Sequence, residues 1–482
     1  MVRVGAIRYV LGALLSLYSL TLLPPIAVSL GFGDGEARHF LLTLALTAGA
    51  GLALWLPVCR RRVELGRREG FLVVVLFWTT LGVIGSLPFH FSPHLGFTDA
   101  VFEALSGFTT TGATVIRGLD GLPPSILWYR QQIQWLGGMG IVVLAVALFP
   151  MLGVGGMQLY RAETPGPMKD EKLTPRIAHT AQSLWLIYVG LTVLCALAYR
   201  VAGMDWFDAV GHAFSTISTG GFSTHDASLG YFDNPWIEAV ADVFMLAGAL
   251  NFGIHYLALH RRRPGLYLRD PEARAFLAVV LAATALVAVL LAVLGRHPAP
   301  GEALRYALFQ VISVVTSTGF TTDAFASWPS FLPIFLIYIS FIGGCAGSTA
   351  GGMKVVRVLL LLKQGVREVG RLVHPRGVLP IKLGGHVMSE TVVGAVWGFF
   401  ALYMAATATL TMLMVAAGLD VLSAFSAVAA TLNVLGPGLG EVAANFASVS
   451  TAGKWVLILS MLLGRLELFT LLVILSPGFW RG

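Results

Sequence analysis

Charge is scarce in this chain: of its 482 residues only 12% are Asp, Glu, Lys or Arg, against about a quarter in an ordinary soluble domain. So few charges cannot cover a water-facing surface of this size, which excludes the usual soluble enzyme or binding module. Cysteine is nearly absent as well. Cys59, Cys195 and Cys345 lie far apart on unlike segments, so neither a disulfide framework nor a zinc site has spacing to support it. The eleven histidines, His212, His255 and His386 among them, are scattered without metal-ligand spacing and carry no assigned role. What remains is apolar: 56% of residues are hydrophobic and the mean hydropathy is +0.79, values that place the chain in a bilayer. The first apolar stretch starts near Tyr9 and continues past Pro24 and Pro25. It is longer than a signal h-region and has no small-residue cleavage site, so it reads as a retained anchor.

The net charge of +7 does not point to nucleic acid, because the basic residues sit in short loops between apolar runs. Arg38, Arg117, Arg130, Arg200, Arg296, Arg305 and Lys454 fall on one side of the membrane, and Arg465 lies within a span. All the other Lys and Arg fall on the opposite side, in clusters at 60–68, 161–176, 261–274 and 354–382 and near the ends of the chain. Positive charge accumulates on the cytoplasmic face, so both termini are expected there.

A full crossing needs about 20 apolar residues, whereas pieces of about 10 to 14 are re-entrant or interfacial. Both kinds occur. Long spans are predicted at 9–30, 39–58, 71–89, 127–149, 182–202, 236–259, 275–294, 329–360 (broken), 388–416 and 454–476. Short pieces lie between them at 98–109, 205–217, 303–315 and 420–432. Each short piece leads into a polar segment rich in Thr, Ser and Gly. With Asp99-Ala100-Val101 laid on Asp208-Ala209-Val210 and on Tyr306-Ala307-Leu308, the glycines Gly112, Gly221 and Gly319 share one register. A fourth copy, Asn433-Val434-Leu435-Gly436, fits more loosely, with Leu435 before the glycine and Pro437 after it.

A fourfold internal repeat sets the architecture before any single residue is considered. The expected fold is an all-α integral membrane protein of about ten transmembrane helices. In it, four tandem units of span, short helix, polar loop and span surround one pseudo-fourfold axis, after an N-terminal helix pair. The corresponding boundaries are 1–68 for the helix pair, then 69–160, 161–263, 264–375 and 376–482 for the units. Non-helical backbone at membrane depth survives only where protein buries it or where it lines a wet cavity. Four such loops on the arginine-poor side are therefore expected to converge, with main-chain carbonyls replacing the hydration shell of a passing cation. The expected carbonyl donors are Thr110, Thr111, Gly112, Thr219, Gly220, Gly221, Ser317, Thr318, Gly319, Val434, Leu435 and Gly436.

These segments resemble a known family. Ser106 to Val115, Gly220 to Asp226, Thr318 to Asp323 and Asn433 to Glu441 are similar, in order, to the four filter segments of the Trk, Ktr and HKT superfamily of potassium transporters, most closely the bacterial Trk membrane subunits. The likeness extends over nearly the whole chain. It implies K⁺ uptake across the bacterial inner membrane by a multi-pass protein with no cofactor and K⁺ as the transported ion. It also implies a homodimer embedded in lipid, regulated by a cytosolic ring of nucleotide-binding Trk regulatory subunits.

Three further features fit that expectation. An acid follows each segment, Asp120, Asp226, Asp323 and Glu441, and an acidic mouth raises local cation concentration. The stretch 343–352, with Gly343, Gly344, Gly347, Ser348, Thr349, Gly351 and Gly352, interrupts the second span of the third unit. Five glycines in ten residues, each costing a helix about 1 kcal/mol, break the span there. The resemblance makes this stretch an intramembrane gate loop. Its Gly347 to Gly352 spacing is not a P-loop, because Met353 and Val355 stand where Lys and Ser/Thr belong. Arg465 sits in the last apolar span, where an arginine costs about 2.5 to 3.5 kcal/mol on insertion scales and is a functional candidate by default. The resemblance makes it the family's pore arginine, and a structural pair with Glu467 or another acid is the alternative. Two other functions remain open: a K⁺/Na⁺ or K⁺/H⁺ symporter with alternating access, and, more remotely, an intramembrane hydrolase with Ser348 as nucleophile. The shared orientation of the repeats favours a channel-like route over the inverted repeats common in carriers, and a hydrolase leaves the repeats unexplained.

Overall fold

In a chain this apolar, peptide groups at membrane depth must be satisfied internally, and the computed structural model does so with helices; among the described residues there is one two-stranded pairing, of Lys382–Leu383 and His386–Val387. The structure describes residues 3–60, 66–143 and 173–481. Of the sequence expectations, Arg61, Arg62, Arg161, Lys169, Lys172, the end of the 127–149 span and the boundary at 160 lie outside these residues.

Six helices among the described residues are long and apolar enough to cross a membrane: Val4–Phe32, Ala37–Val58, Arg68–Phe91, Ala181–Ala202, Pro271–Val293 and Glu390–Ala416. Two expected spans are instead sharply bent. The 236–259 segment divides into Pro235–Ala249 and Phe252–Arg261 at 98°, and the 454–476 segment into Thr451–Arg465 and Glu467–Leu475 at 114°. Counting each bent pair as one crossing gives up to eight. The first bend has a clear local cause. Leu250 is extended, and the Asn251 side chain accepts from Gly253 N, so it caps a new helix rather than continuing the old one. At the second, Glu467 takes a left-handed conformation and its carboxylate reaches Arg357 at 2.8 Å. The 329–360 segment is broken as expected, into Leu332–Ser340 and Val355–Val373.

The first long helix packs on the third element, Ala37–Val58, through a glycine crossing. A Cβ on Gly12 would stand 2.7 Å from Trp55 N, and one on Gly51 would stand 3.0 Å from the Gly12 carbonyl oxygen. Small residues permit this close approach of backbones, which supplies helix association in lipid.

Four short helices, Phe97–Phe108, Trp206–Ile217, Pro300–Val315 and Val421–Leu432, match the four short pieces of the sequence. Asp205 and Asp420 cap two of them by accepting from Asp208 N and Ser423 N. All four end in one hydrogen-bond pattern. In the first, Thr110 N donates to Gly107 O at 2.9 Å and Thr111 N to Ser106 O at 2.8 Å. The same pair recurs as Thr219 to Thr216 and Gly220 to Ser215, as Ser317 to Val314 and Thr318 to Ser313, and as Val434 to Thr431 and Leu435 to Ala430. This double closure is a Schellman motif, which needs a left-handed residue one place before its last donor. The fourth copy, loose in sequence, obeys it as fully as the others.

Successive units are tied edge to edge, and the last returns to the first. Gly230 N donates to Thr321 O (3.1 Å) between the second and third, and Asn433 Nδ2 to Ser340 Oγ (2.7 Å) between the third and fourth. Phe446 N reaches Thr114 O (2.8 Å) and Lys454 pairs with Asp99 (2.7 Å) between fourth and first. The helices that follow the short ones pack on them by glycine. A Cβ on Gly137 would strike the Phe108 carbonyl, one on Gly464 the Leu432 carbonyl, and one on Gly248 would lie 2.9 Å from Ile217 O. Gly137→Ala is expected to force these helices apart and lower the thermal midpoint in detergent, an overpacking cost of about 1–3 kcal/mol. An unchanged midpoint would show that the crossing is looser than drawn.

Candidate functional site

Thr110, Thr219, Ser317 and Val434 hold φ of 55°, 52°, 54° and 60°. None is glycine, and for β-branched Thr and Val this left-handed geometry is strained, a cost of about 1–3 kcal/mol that persists only where the surroundings enforce it. Two residues on, Gly112, Gly221, Gly319 and Gly436 take φ of 79°, 75°, 86° and 96°. Here glycine is required twice over, by the angle and by space. A Cβ on Gly112 would collide with the carbonyl oxygen of Gly220, one on Gly221 with that of Thr318, and one on Gly319 with that of Leu435. One on Gly436 would lie 2.8 Å from the Thr111 oxygen. Each segment thus presses its glycine against the carbonyl of the next, and the fourth closes on the first. The four hairpins form a ring, with Thr111, Gly220, Thr318 and Leu435 contributing equivalent oxygens. The short helices end directly beneath these oxygens, so their partial negative ends favour a cation there.

Side chains on the left-handed residues reach the loop that breaks the third unit. Thr219 Oγ1 donates to Thr349 Oγ1 at 3.2 Å, and Gly351 N donates to Ser317 Oγ at 2.5 Å. Gly351 leaves no room for a Cβ against the Asn433 oxygen, and one placed there would also stand 2.8 Å from Val434 Cβ. Thr349 is held further by its hydroxyl, which donates to Gly248 O (2.9 Å) and Ile217 O (3.0 Å). The loop turns on itself through Gly343, Gly347 and Gly352, all at positive φ, with Gly343 and Gly352 in backbone contact and Gly344 against Ala249. Ser348 Oγ donates to the Cys345 carbonyl at 2.6 Å.

Arg465 is buried, and its Nη1 donates to the Thr349 carbonyl at 2.9 Å. It does not pair with Glu467, whose carboxylate is taken by Arg357. Nε and Nη2 of Arg465 meet no acceptor among the described residues. A guanidinium serving only the fold would have its donors satisfied.

The four acids beyond the ring are unequal. Asp120, Asp226 and Glu441 are exposed. Asp323 departs from the expected open mouth: it is partly buried and accepts from Arg296 (2.8 Å), Trp328 Nε1 (2.7 Å) and His297 (3.2 Å). Burial opposes its charge, but these bonds prevail and hold its carboxyl at about 2. His225 bridges Asp120 (2.5 Å) and Asp208 (3.2 Å) and stacks on Tyr231 at 3.5 Å, while Gly118 N donates to Asp226. This clasp joins the exits of the first and second segments.

Sequence reasoning counted Arg130 only as an outer-side cation and passed over Glu103 and Gln134. Arg130 pairs with Glu103 (2.9 Å) behind the ring, and Gln134 Nε2 donates to Gly220 O (2.6 Å) while its Oε1 accepts from Phe222 N (3.0 Å). A buried acid on a short helix and two polar residues four apart on the next were the available signal.

The profile of the family described as TrkH, cation transport protein, matches residues 36–480. The chain belongs to the TrkH family of cation transport proteins. It is 55% identical to the Trk system potassium uptake protein TrkH of Salmonella typhimurium over 478 residues, covering 99% of both chains. It is likewise 55% identical to that of Escherichia coli over 481 residues, covering 99% of both, and 40% identical to the TrkG protein of the same organism over 482 residues. The crystal structure of the potassium transporter TrkH from Vibrio parahaemolyticus superposes with a TM-score of 0.93 at 52% identity, covering 100% of each chain. Membership in a transport family removes the hydrolase reading of Ser348. TrkH chains are multi-pass membrane proteins, as the apolar helices here require.

Burial opposes protonation of His225, yet its bonds to Asp208 and Asp120 outweigh that and raise its pKa above the ordinary imidazole value. The clasp therefore contributes fully below about 6.5 and is lost as pH rises through the raised folded value. Hydrogen exchange of residues 118–121 and 223–231, corrected for intrinsic rate, is expected to accelerate severalfold between about pH 6 and pH 9. His225→Ala should remove that dependence. Protection independent of pH in the parent would contradict the clasp.

Proposed function

We propose that this chain takes up potassium ions across the bacterial cytoplasmic membrane, down the electrochemical gradient, through one gated channel-like pathway in each chain. The observation that carries the reading is the cyclic approach of each glycine to the next segment's carbonyl, from Gly112 to Gly220 round to Gly436 and Thr111. Oxygens so arranged can take the place of water around a cation, and a backbone that cannot accept a Cβ cannot be refilled by side chains. The filter is assigned to Thr110–Gly112, Thr219–Gly221, Ser317–Gly319 and Val434–Gly436. Asp120, Asp226 and Glu441 would concentrate cations at the mouth, with Asp323 largely neutralised by its own partners.

The loop 343–352 and Arg465 are assigned as the gate. Bonds from Thr349 and Gly351 hold the loop against the filter's inner end, and a buried cation bonded to the same loop opposes a second cation by simple repulsion. Its glycines give the loop the freedom to leave. In this reading ten spans and four re-entrant helices make up the protein, with both termini cytoplasmic and the unit boundaries given above. The relatives are named as parts of a Trk system, which supports further subunits. We assign a homodimer embedded in lipid and a cytosolic ring of nucleotide-binding regulatory subunits.

Two substitutions test the assignments in liposomes loaded with purified protein. Gly112→Ser places a side chain against the Gly220 oxygen and is expected to relax rubidium over sodium selectivity by about tenfold or more, about 1.4 kcal/mol of discrimination. Unaltered selectivity would remove the segment from the filter. Arg465→Ala is expected to raise rubidium flux severalfold, and reduced flux in well-folded protein would make the arginine a structural strut.

A further inference from the structure

Equivalent positions of the four short helices carry unlike side chains. Five residues before the last helical residue stand Glu103, His212, Gln310 and Ala427. Two residues beyond the filter glycine stand Thr114, Ser223, Thr321 and Gly438. In the first unit Glu103 accepts from Thr114 Oγ1 (3.0 Å), Val115 N (3.0 Å) and Arg130 Nε (2.9 Å). In the second, His212 Nε2 contacts Ser223 Oγ at 2.9 Å. In the third, neither polar atom of the buried Gln310 side chain finds a partner among the described residues, and in the fourth there is only a methyl group.

Arg130 is 1% exposed and Glu103 0%. Besides its bond to Glu103, Arg130 donates to the Ser223 carbonyl (3.0 Å) and to Thr114 Oγ1 (3.3 Å), and lies 4.2 Å over the Phe222 ring. One guanidinium therefore grips the exits of both the first and the second segment. Gln134, a turn along the same helix face, holds Gly220 O and Phe222 N on either side of Gly221. Seven residues before the packing glycines Gly248 and Gly464, where Arg130 stands before Gly137, the second and fourth units have Ala241 and Leu457.

The fold does not demand this pair. Units without it form the same helix-ending hydrogen bonds and the same left-handed angles. A buried ion pair adds little stability over well-packed apolar side chains, so its presence at one junction calls for another role. What it does locally is fix a distance. Five charge-assisted or neutral bonds link two adjacent ring segments through planar, fork-shaped groups with little rotational freedom.

We propose that Glu103 and Arg130 are a positioning pair that sets the spacing between the first and second filter segments, and with it the discrimination of K⁺ from Na⁺. The two ions differ only in size and hydration, so a ring that can collapse on the smaller one loses its preference. This inference rests on the filter reading above. It makes the ring asymmetric: rigid where the first and second segments meet, and held by lighter contacts elsewhere.

The test uses the full-length protein in liposomes, with rubidium and sodium uptake measured on the same folded, size-exclusion-purified sample. Glu103→Gln keeps the side chain's shape, Arg130→Gln replaces the guanidinium by a shorter neutral amide, and each leaves its partner's charge unpaired. Each is expected to lower the rubidium-to-sodium ratio about tenfold, or about 1.4 kcal/mol. A role in stability alone would lower yield and leave the ratio intact. Thr114→Val removes only the hydroxyl that both groups share, and is expected to lower the ratio about threefold. Folded Glu103→Gln and Arg130→Gln proteins with the parental ratio overturn the proposal. If neither folds, a parental ratio in Thr114→Val does so. Gly112→Ser in the same assay separates the two readings: if it relaxes selectivity and the pair variants do not, only the positioning role fails, whereas no effect of Gly112→Ser removes the filter itself.

Discussion

A peptide group without a hydrogen-bond partner inside a bilayer costs several kcal/mol, and this chain places four stretches of non-helical backbone at the ends of helices enclosed by membrane spans. Everything else in the structure follows from making those stretches tolerable. Their amides are absorbed by the preceding helix ends, through the paired bonds of Thr110 and Thr111 to Gly107 and Ser106 and their three counterparts. Their carbonyls are left facing one another, pressed together by glycines that admit no Cβ, so the solution of the backbone problem also creates the oxygen ring assigned above as the filter.

The same constraint accounts for the bends. Helices that follow the short ones in the second, third and fourth units break within a few residues of the level where they pass the helix ends, at Ala249, Ser340 and Arg465. Each break frees carbonyls and amides that must be paired locally. Those of the second and third units pair with each other, since Cys345 N donates to Ala249 O and Phe252 N to Gly347 O. The fourth contributes Arg465, which bonds the same loop. Three broken helices therefore converge on one irregular layer under the ring. The loop in this layer is joined to its neighbours by hydrogen bonds between glycine-rich turns.

Much of this was legible in the sequence because membrane composition leaves few alternatives. Span lengths, the four short pieces and the register of Gly112, Gly221 and Gly319 could be read from apolar run length and spacing alone, and the short helices lie within a few residues of their expected ends. The fourth segment was obscured because its side chains differ, while the property that matters is a backbone angle, shared by Val434 and Thr110 without any likeness in chemistry. The bends were invisible for a related reason. Gly248 and Gly464 look like ordinary glycines of a membrane helix, and the residues that end the helices, Leu250 and Leu466, favour helix by propensity. The first break is decided by the local cap at Asn251, and the second by a tertiary partner, the reach of Glu467 to Arg357.

Side-chain partnerships across units were the least legible class, and they are where the four repeats part company. Asp323 looks like its three counterparts in sequence, yet Arg296, His297 and Trp328 draw it away from the mouth. Glu103 looks like a stray acid in an apolar helix until Arg130, 27 residues on, is brought beside it. A chain with four copies in one polypeptide, unlike a symmetric tetramer, can set each junction separately. Here the junction of the first and second units carries the buried ion pair, the Gln134 grip and the His225 clasp, while the third and fourth are joined through Asn433 and Ser340. Backbone geometry repeats around the ring; the contacts behind each segment differ, and the loop assigned above as the gate lies against the second, third and fourth segments, through Thr219, Ser317 and Val434. Rigidity at the first junction and mobility beneath the others are the two demands a selective and gated pathway makes of one ring, and a fourfold repeat within a single chain can meet both.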